Sequence, residues 1–185
     1  MVCLLSDIVL SRHAGSRMVT CFKYIQATLK ADLSRKRRPK KQLSSINQLE
    51  LAKQICIEAH KGQVDKGGAD YYLHPFHVAR RCKSIDEKIV ALLHDVVEDT
   101  NITLADLKKF FEPVIIDAVD AITKRDGVSY DDYLSRVKKN PIARKVKIQD
   151  LIHNSDLSRL NEVSEKDLKR VEKYKKSIAY LKDAE

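Results

Sequence analysis

The chain has 185 residues, 43% of them hydrophobic and 33% charged, with 5 Gly and 4 Pro. That is enough for one domain with a core of its own, and the composition excludes a wholly disordered or collagen-like protein. No apolar run reaches the roughly 18 residues of a membrane span, so no membrane partner is expected.

The formal net charge of +9 is concentrated at one end. Residues 1–42 carry ten Lys/Arg against two Asp, whereas residues 43–185 carry 25 against 24 Asp/Glu. The densest run is Arg35-Lys36-Arg37-Arg38-Pro39-Lys40-Lys41. Like charges this close repel one another and favour an extended, solvated segment. We read residues 1–43 as a basic extension, with short helices open at Val2–Leu10 and Phe22–Leu33, and residues 44–185 as the domain. Nucleic acid enters as a partner only through this arm, and a solvated linker is the plainer alternative. Asp7 interrupts the first apolar stretch and no basic region precedes it, which fits a cleaved secretory signal poorly. Cys3, Cys21, Cys56 and Cys82 make no CxxC pair, a pattern of reduced thiols in a cytoplasmic protein.

From residue 44 onward the hydrophobic period is helical. Ser45 is placed to cap a helix to about Lys61, with Leu49, Ala52, Cys56 and Ala59 on one face. Gly62 ends it, Gly67-Gly68 marks a loop, and Pro75 is expected as the first residue of the next helix, which buries Val78, Ala79 and Cys82. A third helix is predicted from about Asp86 to Val97. It is apolar on more than one face and therefore central. Thr103 with Asp106 resembles a capping box and opens a short helix to Phe111. Pro113 starts a helix carrying Val114, Ile115, Ala118, Val119 and Ile122. Ser129 and Asp132 begin one over Tyr130–Lys139, and Pro141 begins one through Asp150. Ser164 and Asp167 open the last, with Leu168, Val171, Tyr174, Ile178 and Leu181 at helical steps. No stretch alternates for long enough to make a sheet. The expected fold is all-α, with about seven or eight helices.

The chemistry collects where polar residues interrupt this pattern. His94-Asp95, followed by Glu98-Asp99, stands near the end of the most apolar helix. Three carboxylates and an imidazole beside Leu92, Leu93, Val96 and Val97 are costly to bury unpaired, and a divalent cation relieves that cost. An acidic turn at the surface is the alternative. His74 stands just before a helix. Asp150 and Asn154 are four residues apart on another and share a face if it continues. Mixed His/Asp donors suit Mn, Fe, Zn or Mg. HExxH, the P-loop, the dinucleotide fingerprint and GxSxG are all absent.

Several segments in order carry a resemblance: Ala59-His60-Lys-Gly62-Gln63, Tyr71-Tyr-Leu-His74-Pro75-Phe-His-Val78-Ala79, and Ala91-Leu-Leu-His94-Asp95-Val-Val-Glu98-Asp99-Thr100. Thr103-Leu-Ala-Asp-Leu107, Thr123-Lys124 and Val146-Lys-Ile-Gln-Asp150-Leu-Ile-His153-Asn154 follow. Over about residues 44–182 the chain resembles the HD-superfamily phosphohydrolases, specifically the hydrolase domain of the Rel/SpoT guanosine tetraphosphate enzymes of the stringent response. With a chain ending at Glu185, the expected form is that of their single-domain relatives.

The resemblance implies an HD-domain helical bundle with His74, His94, Asp95 and Asp150 around one divalent metal, most often Mn2+. It implies Glu98 and Asp99 as the catalytic acid pair that handles the attacking water, and Lys66, Asn154 and Tyr174 as contacts to the nucleotide. The implied reaction is hydrolysis of the 3′-pyrophosphate of guanosine tetra- or pentaphosphate to GDP or GTP and pyrophosphate. Lys61, Lys66 and Lys147 are candidate cations for the phosphates. His60 is expected to be structural, His77 to pack or bind phosphate, and His153 has no assigned role. Two departures stand out. Asp65-Lys66-Gly67-Gly68 replaces the family's Arg-Lys-Ser-Gly, and Leu151 follows Asp150 where the family has Arg. Another nucleotide as substrate, and a non-enzymatic binding module, are the alternatives.

Overall fold

In chain order, the computed structural model describes residues 45–159 and 162–183. The basic arm and the two short helices expected within it lie outside the described residues. Among the described residues nine α-helices follow one another: α1 (Ser45–Ala59), α2 (Leu73–Arg81), α3 (Ile85–Leu93), α4 (Val96–Asp99), α5 (Leu104–Leu107), α6 (Pro113–Ile122), α7 (Tyr130–Lys139), α8 (Pro141–Asn154) and α9 (Glu165–Lys182). A 3-10 turn, Leu157–Arg159, separates the last two. Seven of these helices have nine residues or more, and the described residues form no sheet; Val64 and Asp70 make one isolated bridge. No described helix is long and apolar enough to cross a membrane.

The helix starts follow the capping chemistry of the sequence. Thr103 and Ser164 each accept from the backbone N–H three residues on, while Asp106 and Asp167 reach back to complete the box. Ser129 Oγ accepts from the Asp132 N–H, and Asn140 Oδ1 from the N–H groups of Ile142 and Ala143. Such a cap contributes about 1 kcal/mol. Ser84 makes a third full box with Glu87, so α3 begins at Ile85. Gly62, at φ +81, takes the left-handed turn just after α1, which ends at Ala59 rather than near Lys61.

The core centres on α3 and α8. α3 packs against α1, α2, α6 and α8, and α8 also meets α7 and α9. Ile89, Val90, Ala91, Leu92 and Leu93 are all essentially inaccessible, which accounts for an apolar surface on every side of α3. Each large aliphatic side chain among them contributes on the order of 1.5–3 kcal/mol by burial. Ala143, Val146 and Leu151 of α8 meet this core, as do Ile115, Val119 and Ile122 of α6.

Four further expected boundaries are corrected. α2 begins at Leu73, so Pro75 lies inside its first turn, where a missing N–H still costs nothing. The predicted Asp86–Val97 helix is two helices: α3 stops at Leu93, His94 and Asp95 form a turn, and α4 resumes at Val96. The helix after Thr103 closes at Leu107 instead of Phe111, and α8 runs on to Asn154. Val114 and Leu168, counted with the apolar faces, are exposed.

Candidate metal centre

The site lies where α3 gives way to α4, at His94 and Asp95, whose backbone stays in the right-handed helical region. In the turn both aim at one point, opposite residues from α2 and α8. His94 Nε2 lies 3.2 Å from Asp95 Oδ2 and 3.7 Å from Asp150 Oδ1. His74 Nε2 lies 3.1 Å from Asp150 Oδ1 and 3.6 Å from Asp95 Oδ2. Ligand-capable atoms of His74, His94 and Asp150 all fall within 4.8 Å of one another, and these three residues are buried. These are the four residues that the resemblance implied, and the fold brings them together from three separate segments.

The donor chemistry fits a divalent cation. His94 Nδ1 is 2.7 Å from the Ala91 carbonyl, to which only an N–H can be donated. Its Nε2 is buried and has no hydrogen-bond partner, although carboxylate oxygens surround it. A ring held this way presents a lone pair to the centre, the arrangement of a metal-ligating histidine. Without a cation, the carboxylates favour a proton instead. Burial alone would lower the His94 pKa, but Asp95, then Asp150 and the Ala91 carbonyl, raise it to about 9. The cluster of two histidines and Asp150 is able to coordinate a divalent metal.

Further polar groups hold the ligands. Lys147 Nζ sits 2.8 Å from Asp150 Oδ2 with a side chain only 17% exposed, so it is neither free nor solvated. Burial disfavours both charges, yet each stabilises the other: Lys147 is held well above its ordinary pKa and Asp150 well below. Asn154 Nδ2 donates to Asp150 Oδ1 at 2.6 Å. Tyr71 Oη donates to Asp95 Oδ2 at 2.8 Å and reaches Asp99 Oδ2 at 3.3 Å. Burial first, and Asp95 second, push the Tyr71 phenol far above its usual range. His60, fully buried, lies under the Tyr71 ring and touches Gln63 Oε1 at 2.8 Å, while Gln63 donates to the Asp99 carbonyl.

Glu98 and Asp99 occupy α4, beyond the turn. The Asp99 N–H donates to the Asp95 carbonyl at 2.8 Å, so Asp99 stands one helical turn past Asp95. Glu98 Oε2 accepts from the Lys124 N–H at 2.9 Å. Burial, then the charge of Asp95, raises its pKa against that hydrogen bond. Asp99 is raised for the same two reasons, with Tyr71 opposing.

Beside Asp150 a pocket of about 290 Å³ opens, lined by Glu98, Lys124, Tyr130, Tyr133, Lys147, Leu151, Asn154, Arg170, Lys173 and Tyr174. Asn154 and Tyr174 are thus found together as expected. Lys66 is not in this wall: its side chain is 68% exposed and its Nζ lies 3.6 Å from Asp167 Oδ1. Lys61 pairs with Glu58 at 3.7 Å on the surface. Asp65 accepts from the backbone N–H groups of Gly67 and Ala69, closing a loop in which Gly68 has φ +84. Tyr71, Lys124 and His153 stand in the motif segments without an assigned role, and Arg170 and Lys173 were not singled out from the sequence. For Arg170 a signal existed, since it stands four residues before Tyr174 on one helix. Tyr71 and His153 had none strong enough.

No family model matches the chain. The GTP pyrophosphokinase of Streptomyces coelicolor is 32% identical over 129 residues, 63% of this chain and 15% of that protein. The bifunctional (p)ppGpp synthase/hydrolase SpoT of Escherichia coli is 33% identical over 93 residues, 47% of this chain and 13% of SpoT. A solved structure of a metazoan ortholog of SpoT that hydrolyses ppGpp aligns with a TM-score of 0.61 at 19% identity, over 77% of this chain and 88% of that one. The chain is related to the Rel/SpoT-type hydrolase domains of the HD superfamily. It corresponds to only about a seventh of the length of these bacterial Rel/SpoT relatives.

Proposed function

We propose that this Rel/SpoT relative hydrolyses the 3′-pyrophosphate of guanosine tetra- or pentaphosphate, using one divalent cation held by His74, His94, Asp95 and Asp150. The supporting observation is the meeting of two imidazole nitrogens and two carboxylates beside a pocket that carries Glu98 and four cationic side chains. Two nitrogen and two oxygen donors without thiolate suit Mn2+ along with Fe, Zn or Mg, and the resemblance selects Mn2+ among them. A cation held by these four residues would supply polarisation of a phosphoryl oxygen and a more acidic water.

The protein's own groups do the rest. Glu98, with its raised pKa, takes the proton of the attacking water. Asp99, tethered through Tyr71, orders that water. The water oxygen bonds to phosphorus, the bond from phosphorus to the 3′ oxygen breaks, and that oxygen takes a proton. GDP or GTP and pyrophosphate leave. Lys124, Lys147, Arg170 and Lys173 balance the phosphate charge, and Asn154 and Tyr174 contact the nucleotide. Lys66 assists only by leaving Asp167 for the substrate. We assign the protein to the cytoplasm, where such nucleotides occur and where Cys56 and Cys82 stay as buried thiols.

A second reading, hydrolysis of another nucleotide, is favoured by Asp65, whose carboxylate closes a loop where the family places an Arg. One panel separates the two. With Mn2+ present, guanosine tetraphosphate should be cleaved to GDP and pyrophosphate faster than any ordinary nucleoside mono-, di- or triphosphate. Faster turnover of an ordinary nucleotide would replace the first reading with the second.

A further inference from the structure

We propose that His153 is a positioning residue that sets the tautomer of His74 and so prepares its Nε2 to ligate metal. His74 Nδ1 and His153 Nδ1 are 2.7 Å apart. At that separation the two nitrogens share one proton: two protons would collide and none would leave two lone pairs facing each other. When His74 Nε2 gives its lone pair to a cation, the shared proton belongs to His74 Nδ1, and His153 must accept. When Nε2 carries a proton toward Asp150 Oδ1, 3.1 Å away, the shared proton belongs to His153. A histidine at position 153 serves both states with one atom, because its neutral ring can donate or accept at Nδ1 by changing tautomer. The ring is fixed in place for this. It stacks on His77 with centroids 5.1 Å apart and planes within 18°, and it meets the His74 ring at 4.9 Å. Its position three residues after Asp150 brings both onto the side of α8 that faces α2.

The inference rests on the metal reading of the centre but not on the identity of the substrate. Its test therefore uses Mn2+ alone, with the free ion counted by electron paramagnetic resonance on the full chain. His153→Phe keeps the volume and loses the acceptor, and affinity should fall by about 10–100-fold. His153→Asn keeps a polar oxygen or amide near the Nδ1 position and should restore affinity to within a few-fold of the parent. A purely packing role predicts the reverse order. On the parent protein loaded with diamagnetic Zn2+, long-range proton–nitrogen spectra of the imidazoles should show His74 protonated at Nδ1 and His153 at Nε2. This second measurement needs no variant to fold. Unchanged Mn2+ affinity in His153→Phe, equal loss in His153→Asn, or a proton on His153 Nδ1 in the loaded protein would overturn the inference. A parent that binds no Mn2+ would instead overturn the metal reading itself.

Discussion

α3 contributes His94 and Asp95 by stopping, whereas α8 contributes Asp150, His153 and Asn154 by continuing. From Ile89 to Leu93 every side chain of α3 is apolar and buried, so a polar ligand there would have no room and no partners. The ligands are placed where that helix ends, and there His94 Nε2 comes within 3.2 Å of Asp95 Oδ2. In α8 the apolar and polar residues divide into faces, and Lys147, Asp150 and Asn154 meet around one carboxylate. A greasy helix can supply a site only at its end, while an amphipathic one can supply it from its middle.

Removing the α8 carboxylate tests this most severely. Asp150→Ala should lose most of the metal and leave Lys147 buried without its partner, costing about 3–5 kcal/mol of stability. Metal analysis and denaturant unfolding on the same sample check both halves. Full metal content in that variant would remove Asp150 from the ligand set.

On the α3–α4 side, Glu98→Gln keeps size and hydrogen bonding but cannot take a proton. Turnover should fall by roughly 10²–10⁴-fold with metal content unchanged, and Asp99→Asn should fall less. Because the Glu98 pKa is raised, the parent's rate should decline as pH drops through a value above the ordinary 4.5, and Glu98→Gln should lack that limb. A parent-like rate in Glu98→Gln would move the proton transfer elsewhere.

The two helices also meet in a pH dependence of the metal-free protein. The His94 pKa is raised from 6.5 to about 9 by its carboxylate neighbours. Its contribution is complete below 6.5 and is lost as pH rises through about 9, up to about 3 kcal/mol. Asp150, held well below 3.8, contributes above that value and loses its contribution as pH falls through its depressed pKa. Melts in chelator should therefore be highest between about pH 4 and 6.5, and saturating metal should flatten the alkaline decline. An unchanged melting temperature from pH 6 to 10 would contradict the geometry around His94.

The smallest effect is expected from residues outside both helices. Deleting residues 1–43 should leave helicity, metal content and turnover essentially unchanged, since residues 43–185 carry almost no net charge. Loss of cooperative unfolding in the shortened protein would show that the arm belongs to the core.

Periodicity and capping residues made most helices legible. Thr103, Ser129, Pro113, Pro141 and Ser164 all stand at or next to the helix starts they signalled, because capping is a local interaction between near neighbours. The break at His94-Asp95 was not legible, because Ile89 to Val97 reads as one apolar run. Nothing local marks that turn, where residues from α2 and α8 converge on His94 and Asp95.

The residue types at the centre could be read from motif order, since a ligand's identity is a property of one position. Their partners could not. The contact of His153 with His74, of Tyr71 with Asp95 and of Lys147 with Asp150 depends on which faces the packed helices turn toward each other. Arg170 entered the pocket wall, and Lys66 went to Asp167 outside it, for the same reason. The sequence by itself determined an all-helical domain and the donor atoms available to it. Only tertiary packing decided which donors face one another, because segments as far apart as α2 and α8 are joined by contacts that no local preference encodes.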